Sequence, residues 1–69
     1  MEIAGDYIKL DSFLKAVNEA DSGGIAKLLI ADGLVRVNGE IELRRGRKLR
    51  PGDRVEIDKR IYTVTGGGE

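Results

Sequence analysis

Five of the seven residues from Arg44 to Arg50 are basic and none is acidic, a density suited to holding phosphate. Guanidinium forks match phosphate oxygens in pairs, and Gly46 lets backbone come close to a ligand. Arg44, Arg45, Arg47 and Lys48 are therefore the first candidate binding residues. A patch of this density that meets nucleic acid does so with strong salt dependence. The competing reading is a solvated loop whose charges pair with Glu40 and Glu42.

A second candidate begins at Ser22-Gly23-Gly24. Ser22 is suited to cap a helix, two glycine amides follow it, and a helix N-terminus favours an anion. Lys27 lies one turn on, and its neighbours on that face, Gly23, Gly24 and Ala31, are small enough for something bulky to approach. Close packing with Lys27 snorkelling outward explains the same pattern. It is not a Walker-type loop, because the lysine is wrongly spaced and no strand precedes it. Lys15, four residues from both Asp11 and Glu19, reads first as an intrahelical ion-pair partner.

Other chemistries lack their residues. The chain has no histidine and no cysteine, which removes the usual general base, triad partner and zinc ligands. Carboxylates are spread singly, without spacing for a metal or for acid-base work. No catalytic residue, metal or cofactor is expected. Tyr7, Phe13 and Tyr62 are the only aromatics, too few for a stacking platform, so any RNA recognition would rest on shape and phosphates. There is no apolar run of membrane-spanning length and no secretory leader pattern, so the expected compartment is the cytoplasm, away from membranes. Net charge is zero but segregated: residues 1–32 carry −3 and residues 33–69 carry +3.

The elements that must position these residues are legible in the periodicity. Leu10, Phe13, Leu14 and Val17 make one apolar stripe, predicting a helix from about Asp11 to Ala20. Ser22 opens a second helix with Ile25, Leu28 and Leu29 as its apolar face, closed by a left-handed cap at Gly33. Val35 and Val37 then alternate around Arg36, and Asn38-Gly39 is a hairpin turn. On the return, Ile41 and Leu43 are expected inside and Glu40 and Glu42 outside. Leu49 to Asp53 reads as a turn around Pro51-Gly52, followed by strands through Val55 and Ile57 and from Ile61 to Thr65. The 69 residues make one domain, expected over 1–65, with 66–69 as a flexible tail.

Taken in order, Leu10-Asp11-Ser12-Phe13-Leu14-Lys15, Ser22-Gly23-Gly24-Ile25-Ala26-Lys27-Leu28-Leu29-Ile30, Gly33-Leu34-Val35-Arg36-Val37-Asn38-Gly39 and Pro51-Gly52-Asp53 resemble a known family across nearly the whole chain. It is the RNA-binding domain named after ribosomal small-subunit protein S-four, found also in certain pseudouridine synthases, tyrosyl-tRNA synthetases and a ribosome-rescue heat-shock protein. The Ser-Gly-Gly-x-Ala-Lys start of the second helix and the Arg-Arg-Gly-Arg-Lys run are similar to its stand-alone bacterial branch, labelled YaaA or YbcJ. The resemblance implies an α+β fold in which two short N-terminal helices, the alpha-L RNA-binding motif, pack on a small, strongly bent antiparallel sheet of three to four strands.

The resemblance also implies binding positions at Lys15, Ser22, Lys27 and Arg36, and, from the branch's basic segment, at Arg44, Arg45, Arg47 and Lys48. Gly23 and Gly24 join them through their amides. One departure stands out: many members carry an arginine directly after the capping serine, where this chain has Gly23. The expected function is binding of structured RNA, ribosomal or transfer RNA, by a monomer that is not an enzyme. The alternative is an adaptor that docks an acidic protein through the basic ledge.

Overall fold

The computed structural model describes residues 2–3 and 5–66. Helix α1 spans Leu10–Ala16 and buries Leu10, Phe13 and Leu14 completely. It stops four residues before the expected Ala20 because Asn18 turns left-handed at φ 64°. The Asn18 and Glu19 amides then bond back to the Lys15 and Leu14 carbonyls, a Schellman closure that satisfies the last turn. Helix α2 spans Gly23–Ala31, capped by Ser22, whose Oγ accepts the Ile25 amide at 3.2 Å. It ends with the same closure at Gly33 (φ 74°), where the expected left-handed cap is found.

The buried stripe of α2 differs from the expected one. Ala26 and Ile30 are buried and Leu29 is half-buried, whereas Ile25 and Leu28 are exposed. Lys27 marks the solvent side, but at about 100° per residue Ala26 and Leu28 flank it symmetrically. Both stripes are apolar. The packing of α1 on α2 selects the one whose small Ala26 permits close approach.

Eight short strands follow the chain: β1 (Glu2–Ile3), β2 (Ile8–Lys9), β3 (Val35–Val37), β4 (Glu40–Ile41), β5 (Lys48–Leu49), β6 (Arg54–Ile57), β7 (Arg60–Thr63) and β8 (Thr65–Gly66). The main sheet is antiparallel in the order β4-β3-β6-β7, giving the expected α+β fold with four sheet strands. Asn38 and Gly39 both have positive φ, as a two-residue hairpin turn demands. Asn38 also ties the hairpin to β6, donating to Asp53 and accepting the Arg54 amide, each at 3.0 Å.

Two further ribbons were not apparent from the periodicity, since two-residue strands carry no period. β2 pairs antiparallel with β5, and β1 pairs parallel with β8. Gly66, assigned above to a flexible tail, lies in β8 opposite Ile3; residues 67–69 lie outside the described residues. The core joins both helices to the sheet and ribbons through Phe13, Ile30, Val35, Val55, Leu49 and Val64. No helix among the described residues is long and apolar enough to cross a membrane.

The return strand of the hairpin corrects the expected facing. Ile41 and Leu43 are 53% and 62% exposed, and Glu42 is buried. Register explains it: Val37 pairs with Glu40 and Arg36 with Ile41, so Glu42 shares the inward face of Val35.

Candidate nucleic-acid interface

The basic segment is built around buried Glu42. Arg44 donates Nε to its carboxylate at 3.0 Å, Arg47 donates Nη1 at 2.8 Å, and the Arg44 amide adds a third bond at 3.0 Å. The Arg44 guanidinium foremost, then Arg47 and the Arg44 amide, hold the Glu42 carboxyl down at about 2 against the opposing effect of its burial. Glu42 thereby holds one edge of two guanidinium groups while leaving the Arg44 side chain 75% exposed. Arg44, Gly46, Arg47, Lys48 and Arg50 line an open concavity of about 570 Å³. Of the two acids in the competing reading, Glu42 pairs with the basic segment, from beneath it.

Arg45 connects the ledge to the helices. Its Nε donates to Asp11 in the first turn of α1 at 3.2 Å, and its Nη2 lies 4.0 Å from where a Cβ on Gly23 would stand. The main chain of the same loop caps α1: the Leu10 and Asp11 amides donate to the Arg47 and Arg45 carbonyls at 2.8 and 3.1 Å. That explains how α1 starts without a side-chain cap. Gly23 leaves the first turn of α2 open, and the Arg45 guanidinium occupies the space beside it. A cation stands there, supplied from the ledge.

The remaining candidates are placed unequally. Ser22 spends its oxygen as a helix cap. Lys27 is exposed one turn beyond Gly23. Lys15 is exposed one turn beyond Asp11, and the expected intrahelical pairs are absent: Asp11 pairs with Arg45, and Glu19 with Arg60. Local spacing lost to distant arginines, whose planar forks bind carboxylates better than a lysine ammonium does. These pairs also join the acidic first half of the chain to its basic second half. Arg36 stands on the exposed sheet face opposite Glu56 and Ile41, and among the described residues its side chain donates only to the Gly39 carbonyl, at 3.4 Å. The structure keeps Arg44, Arg45, Arg47 and Lys48 on one loop and ribbon and sets Arg45 beside Gly23 of α2, whereas Arg36 stands on the exposed face of the main sheet.

Sequence reasoning passed over three contributors. Glu42 was assigned to solvent, although counting residues through the Asn38-Gly39 turn puts it on the face of Val35. Arg50 and Lys9 were not singled out, and both stand exposed beside the ledge through the β2–β5 ribbon. Far from the ledge, Glu19 accepts both Arg60 Nε and Nη2, at 2.5 and 2.8 Å, and the Tyr62 hydroxyl. Arg60 first, then Tyr62, holds the Glu19 carboxyl below the usual range. Among the described residues, no three acidic side chains are grouped to hold a metal.

Comparison with known proteins agrees with this architecture. The family model described as the S4 domain matches residues 1–65. A Bacillus subtilis (strain 168) protein described as "Probable ribosome maturation protein RlbA" is 45% identical over 58 residues, 84% of this chain and 82% of that one. A protein of Aquifex aeolicus (strain VF5), described as "Uncharacterized RNA pseudouridine synthase", is 41% identical over 54 residues, 78% of this chain but 17% of that one. The chain belongs to the S4 domain family.

Proposed function

We propose that the domain binds structured RNA through its phosphates, with the Arg44–Arg50 ledge and the first turn of α2 as one grip. The observation that carries this reading is Arg45, which lies against α1 and beside Gly23 of α2 at once and so joins the ledge to the helix turn that Lys27 follows. Arg44, Arg45, Arg47 and Lys48 contact phosphate, the Gly23 and Gly24 amides face a further one, and Lys15 and Lys27 extend the positive field along the helices. Ser22 contributes by shaping the helix start. Arg36, apart from the ledge, adds only a peripheral contact.

The relatives support an RNA substrate, one through a name in ribosome maturation and the other through a name in RNA modification. Ribosomal RNA is the class we assign, bound by a cytoplasmic monomer that works as a binding module without catalysis. The grip is tested by titrating an RNA hairpin, single-stranded RNA and duplex DNA at two salt concentrations. Lys48→Ala and Arg50→Ala spare both carboxylates beneath the ledge, so each is expected to reduce the salt slope by roughly 0.7–0.9 per lost phosphate contact. Arg36→Ala is expected to leave it nearly unchanged. Salt-insensitive or absent hairpin binding sinks the RNA reading and favours docking of an acidic protein on the same arginines.

A further inference from the structure

The β2–β5 ribbon turns one face inward and the other to solvent. Ile8 pairs with Leu49, which is fully buried, so both aliphatics face the core. Alternation then sends Tyr7, Lys9, Lys48 and Arg50 to the opposite face, and all four are exposed. Continuing the register places Tyr7 across from Arg50 and diagonal to Lys48, within reach of both. Lys48 Nζ indeed lies over the Tyr7 ring at 4.8 Å from its centroid, and Arg50 Cζ at 5.9 Å. Lys48 and Arg50 are also walls of the ledge concavity. An exposed aromatic ring therefore stands at the rim of the proposed phosphate site, with Lys9, Lys48 and Arg50 on the same face, and among the described residues none of these three side chains forms a direct salt bridge.

We propose that Tyr7 is a stacking site for one unpaired nucleobase of the bound RNA, with Lys48 and Arg50 taking the phosphates on either side of it. This rests on the phosphate reading above and adds a specificity to it. A paired duplex offers the ledge only backbone, whereas an RNA with a bulged or looped-out base also gives the ring a π-face to cover. Lys48 is long and flexible, so its ammonium swings from the ring to the phosphate as the base arrives. Arg50, whose Cζ lies 5.9 Å from the ring centroid, can keep its place beside the ring, since a guanidinium tolerates aromatic rings and bases as neighbours. The chain has too few aromatics for a multi-base platform, and one ring reads one base.

The experiment compares two RNAs that differ by one nucleotide: a fully paired duplex and the same duplex with a single bulged 2-aminopurine. Binding of the unaltered protein, Tyr7→Phe and Tyr7→Ala is measured by anisotropy at two salt concentrations, with 2-aminopurine emission recorded in parallel. The unaltered protein and Tyr7→Phe are expected to prefer the bulged RNA and quench its emission. Tyr7→Ala is expected to lose roughly 5- to 150-fold in affinity for the bulged RNA, the range for one base stacked on an aromatic side chain, and little for the duplex. Equal losses on both RNAs, or no quenching by the unaltered protein, overturn the stacking site while salt-sensitive duplex binding leaves the phosphate grip standing. Absence of salt-sensitive binding to either RNA overturns both. Should Tyr7→Ala fail to fold, preference and quenching by the unaltered protein and Tyr7→Phe still decide the matter.

Discussion

Replacing Glu42 with glutamine keeps the shape of the side chain but removes the charge that two arginines share. The carboxylate is 10% exposed and accepts from Arg44 and Arg47, while those arginine side chains remain 75% and 31% exposed. Hydrogen bonds to charged groups are each worth about 1.5–3 kcal/mol and exposed ion pairs about 0.2–1 kcal/mol, and because both arginines remain solvated the site is worth about 1–2 kcal/mol in all. For a domain of this size, about 4–8 °C of Tm accompanies each kcal/mol, which gives a loss of roughly 4–16 °C at pH 7. The pH dependence follows from linkage. Glu42 titrates at about 2 in the folded protein against 4.5 for an ordinary glutamate, so its contribution is complete above about 4.5 and disappears as pH falls through about 2. Circular dichroism melts from pH 7 to pH 3 on both proteins isolate Glu42, because titration of every other carboxylate cancels in the difference. The Tm gap should be constant from pH 7 to about 5.5 and narrow below about 4.5. A gap under about 1 °C at neutral pH, or one that persists unchanged in acid, refutes the claim that Glu42 anchors the ledge.

Two further outcomes are expected elsewhere in the fold. Ser22→Ala deprives the Ile25 amide of its acceptor and should cost about 0.5–2 kcal/mol in chemical denaturation, whereas Ser22→Asp should restore most of it. Tyr62 ionises above the usual 10 because its hydroxyl donates to the Glu19 carboxylate. In a Tyr7→Phe background, where Tyr62 is the sole phenol, adding Glu19→Gln should move the absorbance titration at 295 nm toward lower pH, and an unmoved curve contradicts the bond.

Much of the positioning is legible in the sequence because it depends on local physics. Ser22 as a cap, Gly33 as a left-handed stop and Asn38-Gly39 as a hairpin turn are consequences of side-chain reach and backbone sterics within four residues. The end of α1 belonged to the same class, since asparagine tolerates the left-handed conformation that Asn18 adopts, but the apolar stripe through Val17 obscured it. Glu42 was legible in principle too, through the register of the turn. The expectation that aliphatics point inward prevailed over the count.

Two helices, the second with both of its caps, a hairpin, a basic segment and the family they belong to follow from local sequence alone. Which carboxylates those cations meet depends on contacts made across the whole fold. Ion pairs between Asp11 and Arg45, 34 positions apart, and between Glu19 and Arg60, 41 apart, outcompeted the four-residue spacing to Lys15. Likewise, only folding could choose between the stripes of α2 on either side of Lys27, or set Tyr7 against Lys48 and Arg50 through a two-residue ribbon. The reason is physical: local rules act through backbone torsions and short periods, whereas the ledge is a meeting of segments whose proximity exists only once the core has closed beneath them.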